Sequence, residues 1–408
     1  MKRVAVTGIG VVSPLGNDAG AFFDALAASR SAIARLGIAG HERLACPIGA
    51  PAAFDGASRF DPAKLRMLDR VSQLALCAAA EAISDAQGLL EGADRARVGV
   101  FLGTGMGGAQ AADDGYRTLY AERSDRLKPL TVLLSMANAP AAWIAMEHGL
   151  TGASLTYSTA CSSSAVAIGE AARRITHGEA EAMIAGGAEA PLNFGTLKAW
   201  EALRTLASED PEDAGASCKP FAKNRSGLVL GEGAAIVVLE DRDRAIARGA
   251  RIHAELAGYG LATDAGHITR PSVEGQANAM RLALADARLA PGDIGYVNAH
   301  GTGTAANDGV ETAAIKRTFG EHAYAMPVSS TKSMHGHLLG AAGALELVAA
   351  ILAMERGVVP PTAHLKLRDP ECDLDYVAEG ARRAGLGAVM SNSFAFGGTN
   401  AALVACAP

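Results

Sequence analysis

The sequence has few aromatic residues and no block of basic ones. Phe, Trp and Tyr together make up 5% of the 408 residues, which leaves little material for the base stacking that holds single-stranded nucleic acid. The formal net charge is −6, and without a lysine- or arginine-rich segment a broad surface for polyanions is not expected. We therefore expect no nucleic-acid partner, and only local basic patches for any acidic partner.

The chain also lacks the spacing that marks metal, disulfide and dinucleotide sites. Its six cysteines include no C-x-x-C pair, so reduced thiols in the cytoplasm are the better interpretation. The pair His335 and His337 is weak evidence for a metal without neighbouring Cys or Asp ligands. Residues 103–108 fit G-x-G-x-x-G, but an acid-rich segment follows them in place of the long helix of a dinucleotide site. We expect no metal and no bound cofactor.

No apolar run is long enough to span a bilayer. The start MKRVAVTGIGVV imitates a signal peptide, because two basic residues precede an apolar run. However, Gly8, Gly10 and Pro14 interrupt that run, and a small-x-small cleavage site is absent. This segment is predicted to be the first strand, and no membrane association is expected.

Strand-like apolar runs alternate with alanine-rich segments of helical spacing, which is typical of an α/β architecture. The predicted strands are 4–6, 98–102, 155–159, 183–185, 234–239, 296–299, 328–330 and 389–392. The predicted helices are 70–87, 164–176, 275–287 and 338–354.

Three segments of the first half have counterparts in the second half, in the same order. RVGVFLGTG resembles IGYVNAHGTG, the strand–turn–helix around Cys161 resembles the one containing Lys332 and His337, and AMIAGGAEA resembles AVMSNSFAFGGTN. Such ordered similarity predicts an internal duplication. We place the halves at 1–245, which contains Cys161, and at 246–408, which contains His300, Lys332 and His337.

One cysteine, Cys161, lies where a strand-like run turns into a helix, in the segment STACSSSA. Most cysteines are inert and buried, but a helix N-terminus favours the thiolate, and small neighbours would leave the sulfur accessible. His300 ends a predicted strand, where catalytic groups of α/β proteins often lie. Lys332 stands alone among small residues. At equivalent strand ends of a duplicated fold, these residues form a candidate site for nucleophilic catalysis.

The motifs TACSSS, NAHGTGT, SSTKSMHGHLLGAAGALE and SNSFAFGGTN resemble those of the β-ketoacyl-acyl carrier protein synthases, in the elongating Cys-His-His branch. VTGIGVVSPLG and GLVLGEGAAIVVLE belong to the same pattern, so the resemblance covers nearly the whole chain. It implies a thiolase-like fold, internally duplicated, with five α-β-α-β-α layers. It also implies a homodimer, or a heterodimer with a ketosynthase-like partner.

The resemblance implies a decarboxylative Claisen condensation with malonyl-acyl carrier protein, in which the substrates arrive on phosphopantetheine. Cys161 would carry the acyl group, and His300 and His337 would stabilise the enolate formed from malonyl thioester. Lys332 would hold the histidines, with Glu346 as its partner. The backbone N–H groups of Cys161 and Phe396 would form a second oxyanion hole.

Further roles follow from the same resemblance. Thr302 and Thr304 would bind the pantetheine arm, while Asp308 and Glu311 would hold the His300 loop. The acyl pocket would involve Met106 and, from the partner subunit, the residue at Thr131. Carrier-protein docking would use the basic residues Arg66, Arg70, Arg126, Lys128 and Arg204.

The segment from Phe394 to Gly398 departs from the family pattern. Phe-Gly-Phe-Gly-Gly is usual there, but this chain has Ala395 at the second position. A Cβ at this position would restrict a loop that has to move. Alternatively, Ala395 keeps φ negative throughout, and Gly397 and Gly398 absorb the motion.

Several other families are excluded at named residues. A biosynthetic thiolase needs a second cysteine in SNSFAFGGTN, which has none, and the Cys-His-Asn enzymes lack a histidine at the position of His337. A silent chain-length-factor partner would lack Cys161. Fatty acid biosynthesis is the leading interpretation, and a dedicated ketosynthase of a type II polyketide or polyene pathway stays open, as does the acyl chain length.

Overall fold

A ten-stranded sheet organises the chain in the computed structural model, which describes residues 2–408. In chain order its strands are β1 (Val4–Val12), β2 (Val98–Gly103), β3 (Ser154–Tyr157), β4 (Ala182–Glu189), β5 (Gly233–Asp241), β6 (Ala254–Thr263), β7 (Tyr296–Asn298), β8 (Val328–Ser329), β9 (Ala388–Phe394) and β10 (Thr399–Cys406). Two small antiparallel sheets of two strands each lie outside it: Ala34–Arg35 with Ile48–Gly49, and Val358–Val359 with Arg382–Arg383.

Within the described residues, thirteen α-helices accompany the strands. They are α1 (Ala19–Ala27), α2 (Pro62–Leu65), α3 (Arg70–Asp85), α4 (Ala109–Tyr116), α5 (Thr131–Ser135), α6 (Ala139–His148), α7 (Ser163–Thr176), α8 (Phe194–Ala202), α9 (Arg242–Ala247), α10 (Val273–Ala287), α11 (Asp308–Phe319), α12 (Lys332–His335) and α13 (Ala342–Arg356). Short 3₁₀ turns include Ala160–Ser162 and Leu339–Ala341. Among residues 2–408, no helix has both the length and the apolar character needed to cross a membrane.

The order of the strands shows the predicted duplication. From the centre to one edge the order is β1-β5-β4-β2-β3, and from the centre to the other edge it is β6-β10-β9-β7-β8. In both halves the second strand pairs in parallel with the third and fourth, and the fifth pairs antiparallel to the fourth and first. The three similar sequence pairs fall on equivalent elements, so the duplication is confirmed.

The ten-stranded sheet divides into two five-stranded halves, which form two layers with helices between and outside them. Only two residue pairs, Ala5 with Glu255 and Val6 with Ala254, join β1 to β6. On β5, Ile236 packs in the apolar cluster with α3, while Val237 packs in the cluster with α7 and α13. In the second half α10 and α11 cover the outer face. The predicted five-layered α-β-α-β-α arrangement is confirmed.

Matching glycines allow an outer helix to approach the first strand of each half. A Cβ on Gly10 of β1 would lie 1.9 Å from the carbonyl oxygen of Ala78, in α3. A Cβ on Gly260 of β6 would lie 1.9 Å from the carbonyl oxygen of Ala279, in α10. Glycine lowers strand propensity while permitting this contact, which explains why the apolar pattern did not predict β6. The apolar pattern also did not predict β10, in which Thr399 is followed by Asn400 and two alanines, all three of low strand propensity.

A buried histidine links the two halves. His253, just before β6, places Nε2 2.7 Å from Asp85 Oδ2 in α3 and Nδ1 2.8 Å from Glu355 Oε1 in α13. Its backbone N–H donates to the Val6 carbonyl at 2.9 Å. Burial lowers the pKa of His253, but the hydrogen bonds to the two carboxylates outweigh it and raise the pKa to about 9. The imidazolium is therefore the form that bridges the halves at neutral pH.

This bridge predicts a stability that depends on pH. Because the pKa of His253 rises on folding from 6.5 to about 9, its contribution is complete below about pH 6.5 and is lost as pH rises through about 9. His253→Gln should reduce the free energy of unfolding by up to about 3 kcal/mol at pH 6. Urea denaturation of both proteins at pH 6 and pH 10 measures this. A difference that stays the same at both pH values would contradict it.

Candidate active site

Cys161 lies on a sharp turn between β3 and α7. Ala160 has φ of 51°, in the left-handed region, and the turn Ala160–Ser162 leads directly into α7. A non-glycine residue in that region costs about 1 kcal/mol or more and is typically retained at functional sites. The turn presents Cys161 to the cavity described below.

The serines around Cys161 build this turn. Ser163 Oγ donates to the Ala160 carbonyl at 2.6 Å and accepts from the Thr159 N–H at 2.9 Å. Ser164 Oγ accepts from the Ala344 N–H at 2.9 Å, which ties α7 to α13. The small hydroxyl residues were expected only to leave the sulfur accessible, and in the structure they also fix its position.

Two histidines from the second half face the sulfur. Cys161 Sγ and a ring nitrogen of His300 and of His337 all lie within 4.8 Å of one another. His300 follows β7, and its N–H and that of Gly301 donate to the Glu311 carboxylate, each at 2.7 Å. His337 is held through its backbone, because its N–H donates to the Val229 carbonyl at 2.7 Å. The fold therefore brings together three residues widely separated in the sequence.

The neighbours of the two rings fix where their protons lie. Lys332 Nζ donates to the His300 carbonyl at 2.6 Å and lies 3.4 Å from His300 Nδ1. The Leu339 N–H donates to His337 Nδ1 at 3.2 Å. An ammonium and an amide can only donate, so each Nδ1 accepts and each Nε2 carries the proton. His337 Nε2 is buried and has no partner among residues 2–408, so its N–H is available to a ligand.

Cys161, His300 and His337 are uncharged before substrate binds. Burial raises the pKa of the Cys161 thiol to about 11, although Lys332 and the Phe396 N–H oppose this. Burial and the Lys332 charge hold the pKa of His300 and of His337 well below the usual range. The expected thiolate is therefore not the resting form, because desolvation of the sulfur outweighs the favourable position at the start of α7.

Lys332 and Glu346 form a fully buried ion pair behind the histidines. Burial raises the pKa of Glu346, and the Lys332 ammonium opposes this rise. Around the His300 loop, Glu311 accepts hydrogen bonds from the loop as expected, and Asp308 Oδ2 accepts from the Phe221 N–H at 2.7 Å. Asp308 thus attaches a neighbouring segment to the loop.

A cavity of about 230 Å³ opens onto the three groups. Thr302 and Thr304, expected to bind pantetheine, line it, and their Oγ1 atoms lie 2.9 Å apart. Met106 and Thr131 do not line it within this chain. Met106 is 43% exposed, and Thr131 begins α5 and packs against Gly115. The resemblance assigns Thr131 to the pocket of the partner subunit.

The segment after β9 covers the sulfur. Phe394 is buried, its ring 6.1 Å from that of His300, and the Phe396 N–H faces Cys161. Gly397 and Gly398 have φ of 86° and 78°, whereas Ala395 is not among the residues with positive φ. In this conformation the two glycines carry the unusual backbone angles, which favours the second of the two alternatives for Ala395.

The predicted docking residues differ in their surroundings. Four are exposed and have no ion pair among residues 2–408: Arg66, Arg126, Lys128 and Arg204. The prediction that Arg70 docks the carrier protein needs correction. Its guanidinium donates twice to the Glu232 carboxylate and once each to the Phe54 and Ala52 carbonyls, so internal contacts use most of its donors. Arg70 fixes the start of α3, and we do not retain it as a docking residue.

Sequence reasoning missed several residues that shape the site. Buried Glu189, at the end of β4, accepts from the N–H groups of Gly105, Met106 and Gly340 at 2.6, 2.9 and 2.9 Å. Its signal was a single acid in the small apolar run AMIAGGAEA. Trp200 and the loop from His267 to Pro271 also line the cavity, and no sequence pattern marked them.

Family models and relatives agree on the kind of protein. The model of the β-ketoacyl synthase N-terminal domain matches residues 1–245, and that of the C-terminal domain matches residues 253–366. Nodulation protein E of Rhizobium meliloti (strain 1021) is 45% identical over 411 residues, which cover 98% of both chains. The 3-oxoacyl-[acyl-carrier-protein] synthase 2 of Coxiella burnetii is 42% identical over 409 residues, covering 99% of this chain and 98% of the relative.

A solved structure shares the architecture. The ishigamide ketosynthase/chain length factor superimposes with a TM-score of 0.94 at 33% identity, covering 100% of this chain and 99% of the other. By family model, by relatives that span nearly its whole length and by fold, the chain belongs to the β-ketoacyl synthases, a family of acyltransferases.

Proposed function

We propose that the protein condenses an acyl group with malonyl-acyl carrier protein to give 3-oxoacyl-acyl carrier protein, in fatty acid biosynthesis. The observation that carries this proposal is the cluster of Cys161, His300 and His337 within 4.8 Å, at the bottom of a cavity. At this spacing the nucleophile can carry out acyl transfer, and the two N–H donors can stabilise an enolate beside the same acyl group. Residues 1–245 supply the nucleophile, and residues 246–408 supply the donors and Lys332.

In the first step Cys161 accepts the acyl group. Its sulfur attacks the thioester carbonyl of the acyl carrier protein, and a new C–S bond forms. The tetrahedral oxyanion is held by the backbone N–H groups of Cys161 and Phe396. When the old C–S bond breaks, the pantetheine sulfur leaves and takes up the proton that Cys161 has lost. Because burial keeps the resting thiol protonated, its proton passes to the pantetheine sulfur over the course of the exchange.

In the second step malonyl thioester loses carbon dioxide. The electron pair of the broken C–C bond becomes an enolate, and its oxygen accepts from Nε2–H of His300 and of His337. Thr302 and Thr304 hold the pantetheine arm. The enolate carbon attacks the acyl carbonyl, the bond to Cys161 breaks, and the sulfur takes up a proton from water. The product leaves as 3-oxoacyl-acyl carrier protein.

The proposal includes no metal and no resident cofactor. Cys161, His300 and His337 have the composition of a zinc site, but the Lys332 ammonium lies 3.4 Å from His300 Nδ1. A fixed positive charge at this distance opposes a divalent cation. The phosphopantetheine belongs to the carrier substrate. A cytoplasmic location fits, because Cys161 has to stay reduced to be acylated.

We propose that an acyl carrier protein docks at the mouth of the cavity. Leu203 and Ile268 are 46% and 69% exposed there. The neighbouring cations Arg204 and Arg270 are exposed and have no ion pair among residues 2–408. Arg66, Arg126 and Lys128 would extend this surface. Charge pairing of this kind mainly affects the rate and specificity of association.

We propose a homodimer formed along the edge of β3. This outermost strand carries Leu155, 44% exposed, and the surface nearby in the sequence includes Tyr116, Tyr120 and Val132 at 62%, 77% and 70% exposure. An unpaired strand edge with apolar side chains is a ready surface for another chain. A heterodimer with a ketosynthase-like subunit is the alternative, supported by the ketosynthase/chain length factor that shares the fold.

The same structural likeness supports the second candidate function, a ketosynthase dedicated to a type II polyketide or polyene pathway. A panel of acyl carrier proteins loaded with saturated, unsaturated and polyketide chains separates the two functions. Condensation of the saturated chains, followed by mass spectrometry, supports fatty acid synthesis, and turnover of polyketide chains alone supports the second candidate.

The two steps should separate in variants of the site. Cys161→Ala should abolish both acylation and condensation, because the nucleophile is gone. His337→Ala should still accept an acyl group but lose decarboxylation by about 10²- to 10³-fold, since one oxyanion donor is removed. Intact-protein mass spectrometry follows acylation, and release of labelled carbon dioxide follows decarboxylation. An acyl adduct on the Cys161→Ala protein would contradict this assignment.

The acyl pocket predicts a change in chain length. Elongating synthases often carry a bulky aromatic residue at the position of Thr131, so threonine should leave room for longer chains. Thr131→Phe should shorten the longest chain accepted, whereas Thr131→Ser should leave the profile unchanged. The products of a carrier-bound chain series measure this. An identical profile in the Thr131→Phe protein would rule out a role for Thr131 in the pocket.

Because Gly397 has a positive φ and Ala395 does not, Gly397→Ala and Ala395→Gly should differ in their effect on the acylation rate. A Cβ on Gly397 meets no atom within 4 Å, but φ is 86°. Gly397→Ala therefore costs only backbone strain, of about 1–2 kcal/mol, and should alter the single-turnover acylation rate several-fold. Ala395→Gly should change this rate less than twofold. A larger effect of Ala395→Gly would support the opposite view, in which the Cβ of Ala395 restricts the loop.

A further inference from the structure

Trp200 contacts the loop that covers the nucleophile. Its indole stacks on the ring of Phe396, with centroids 5.9 Å apart and planes at 21°. Both rings line the cavity that contains Cys161. The Phe396 N–H in turn faces the Cys161 sulfur. One aromatic pair thus connects α8 to the cover of the active site.

The two rings have different supports. Trp200 lies in α8, whose N-cap Asn193 accepts from the Thr196 N–H, and it packs against an apolar cluster that includes Leu197 and Leu339. Leu339 is the residue whose N–H fixes the His337 ring. Trp200 is therefore part of the rigid frame of the site.

Phe396, by contrast, lies on a turn that contains two glycines. Gly397 is exposed, and Gly397 and Gly398 both have positive φ. The turn is tied by the Gly398 N–H to the Ala395 carbonyl at 3.0 Å and by the Gly397 N–H to the Ile268 carbonyl at 2.7 Å, and its Gly398 carbonyl accepts from the Asp264 N–H at 2.9 Å. Beyond these bonds, the stack on Trp200 is an aromatic contact of the turn with the frame.

The turn has to open for the proposed reaction. Cys161 is only 6% exposed, and a pantetheine-bound acyl chain has to bring its carbonyl carbon to the sulfur. We propose that Trp200 is a positioning residue, whose stacking on Phe396 holds the cover closed and sets how often the thiol becomes accessible. This inference rests on the proposed function, because it concerns access of the acyl substrate to Cys161.

The size of the effect follows from the contact. A stacked aromatic pair shifts an equilibrium by roughly two- to tenfold beyond the area it buries. Removing the indole should raise the open fraction, and hence the rate at which a small reagent reaches Cys161, by about this factor. A phenylalanine at position 200 keeps a stack and should keep most of the closure.

The test measures access without any carrier substrate. Iodoacetamide alkylation of the Cys161 peptide is timed by mass spectrometry in the native protein and in the Trp200→Leu and Trp200→Phe variants. Trp200→Leu should be alkylated about two to ten times faster, and Trp200→Phe at nearly the native rate. In the Phe396→Leu background, where the stack is already lost, Trp200→Leu should add no further acceleration. Equal rates in the native and Trp200→Leu proteins, or full acceleration in the Phe396→Leu background, would overturn the proposal.

A second readout uses the indole itself. Trp143 and Trp200 are the two tryptophans of the chain, so the Trp143→Phe protein reports Trp200 alone. Its emission should change when an acyl carrier protein acylates Cys161, because Phe396 then leaves the indole. Unchanged emission during confirmed acylation would overturn the proposal, even if Trp200→Leu did not fold. Alkylation rates in the predicted order with no condensation by the native protein would refute the proposed function and leave the inference standing.

Discussion

The buried Lys332 ammonium is the group on which the site depends. It donates to the His300 carbonyl at 2.6 Å, faces His300 Nδ1, and pairs with Glu346 from α13. These contacts fix the His300 tautomer, and the Lys332 charge adds to burial, the larger cause, in lowering the pKa of both histidines. Since both members of the ion pair are fully buried, removing one leaves an uncompensated charge, which typically costs about 3–5 kcal/mol. The same pair therefore stabilises the core and orients the donors.

The duplication brings these parts together by placing equivalent turns at the centre. Ala160 and Leu339 both have positive φ, 51° and 46°, each starts a 3₁₀ turn, and each turn leads into a central helix, α7 or α13. By this correspondence Gly340 is the counterpart of Cys161. A Cβ on Gly340 would lie 2.3 Å from the Gly105 nitrogen. The turn in the first half thus presents the nucleophile Cys161. The equivalent position in the second half is a glycine, and its lack of a side chain lets the two halves approach.

Local pattern predicted much of this arrangement. Eight of the strands appeared as apolar runs, and the motifs pointed to Cys161 and His300, which the fold brings within 4.8 Å of each other. Residues whose role depends on distant contacts were not predictable in this way. The partner of Arg70 is Glu232, far away in the sequence, so a motif could not distinguish a structural arginine from a docking one. The protonation of Cys161 likewise depends on how deeply the folded chain buries the sulfur, which a helix N-terminus alone does not reveal.

The low polarity around the sulfur has a consequence for the order of events. Burial disfavours a thiolate at Cys161 and an imidazolium at His300 or His337, so these three groups are uncharged in the closed site. Charge appears only when a thioester enters and its oxygen becomes negative, within reach of fixed N–H donors and of Lys332. Donors that already point at this position need no reorganisation, which is the condition under which electrostatic stabilisation of a transition state is largest. On the proposal that the turn of Phe396 admits the thioester, this turn controls when the site becomes charged as well as when it becomes accessible.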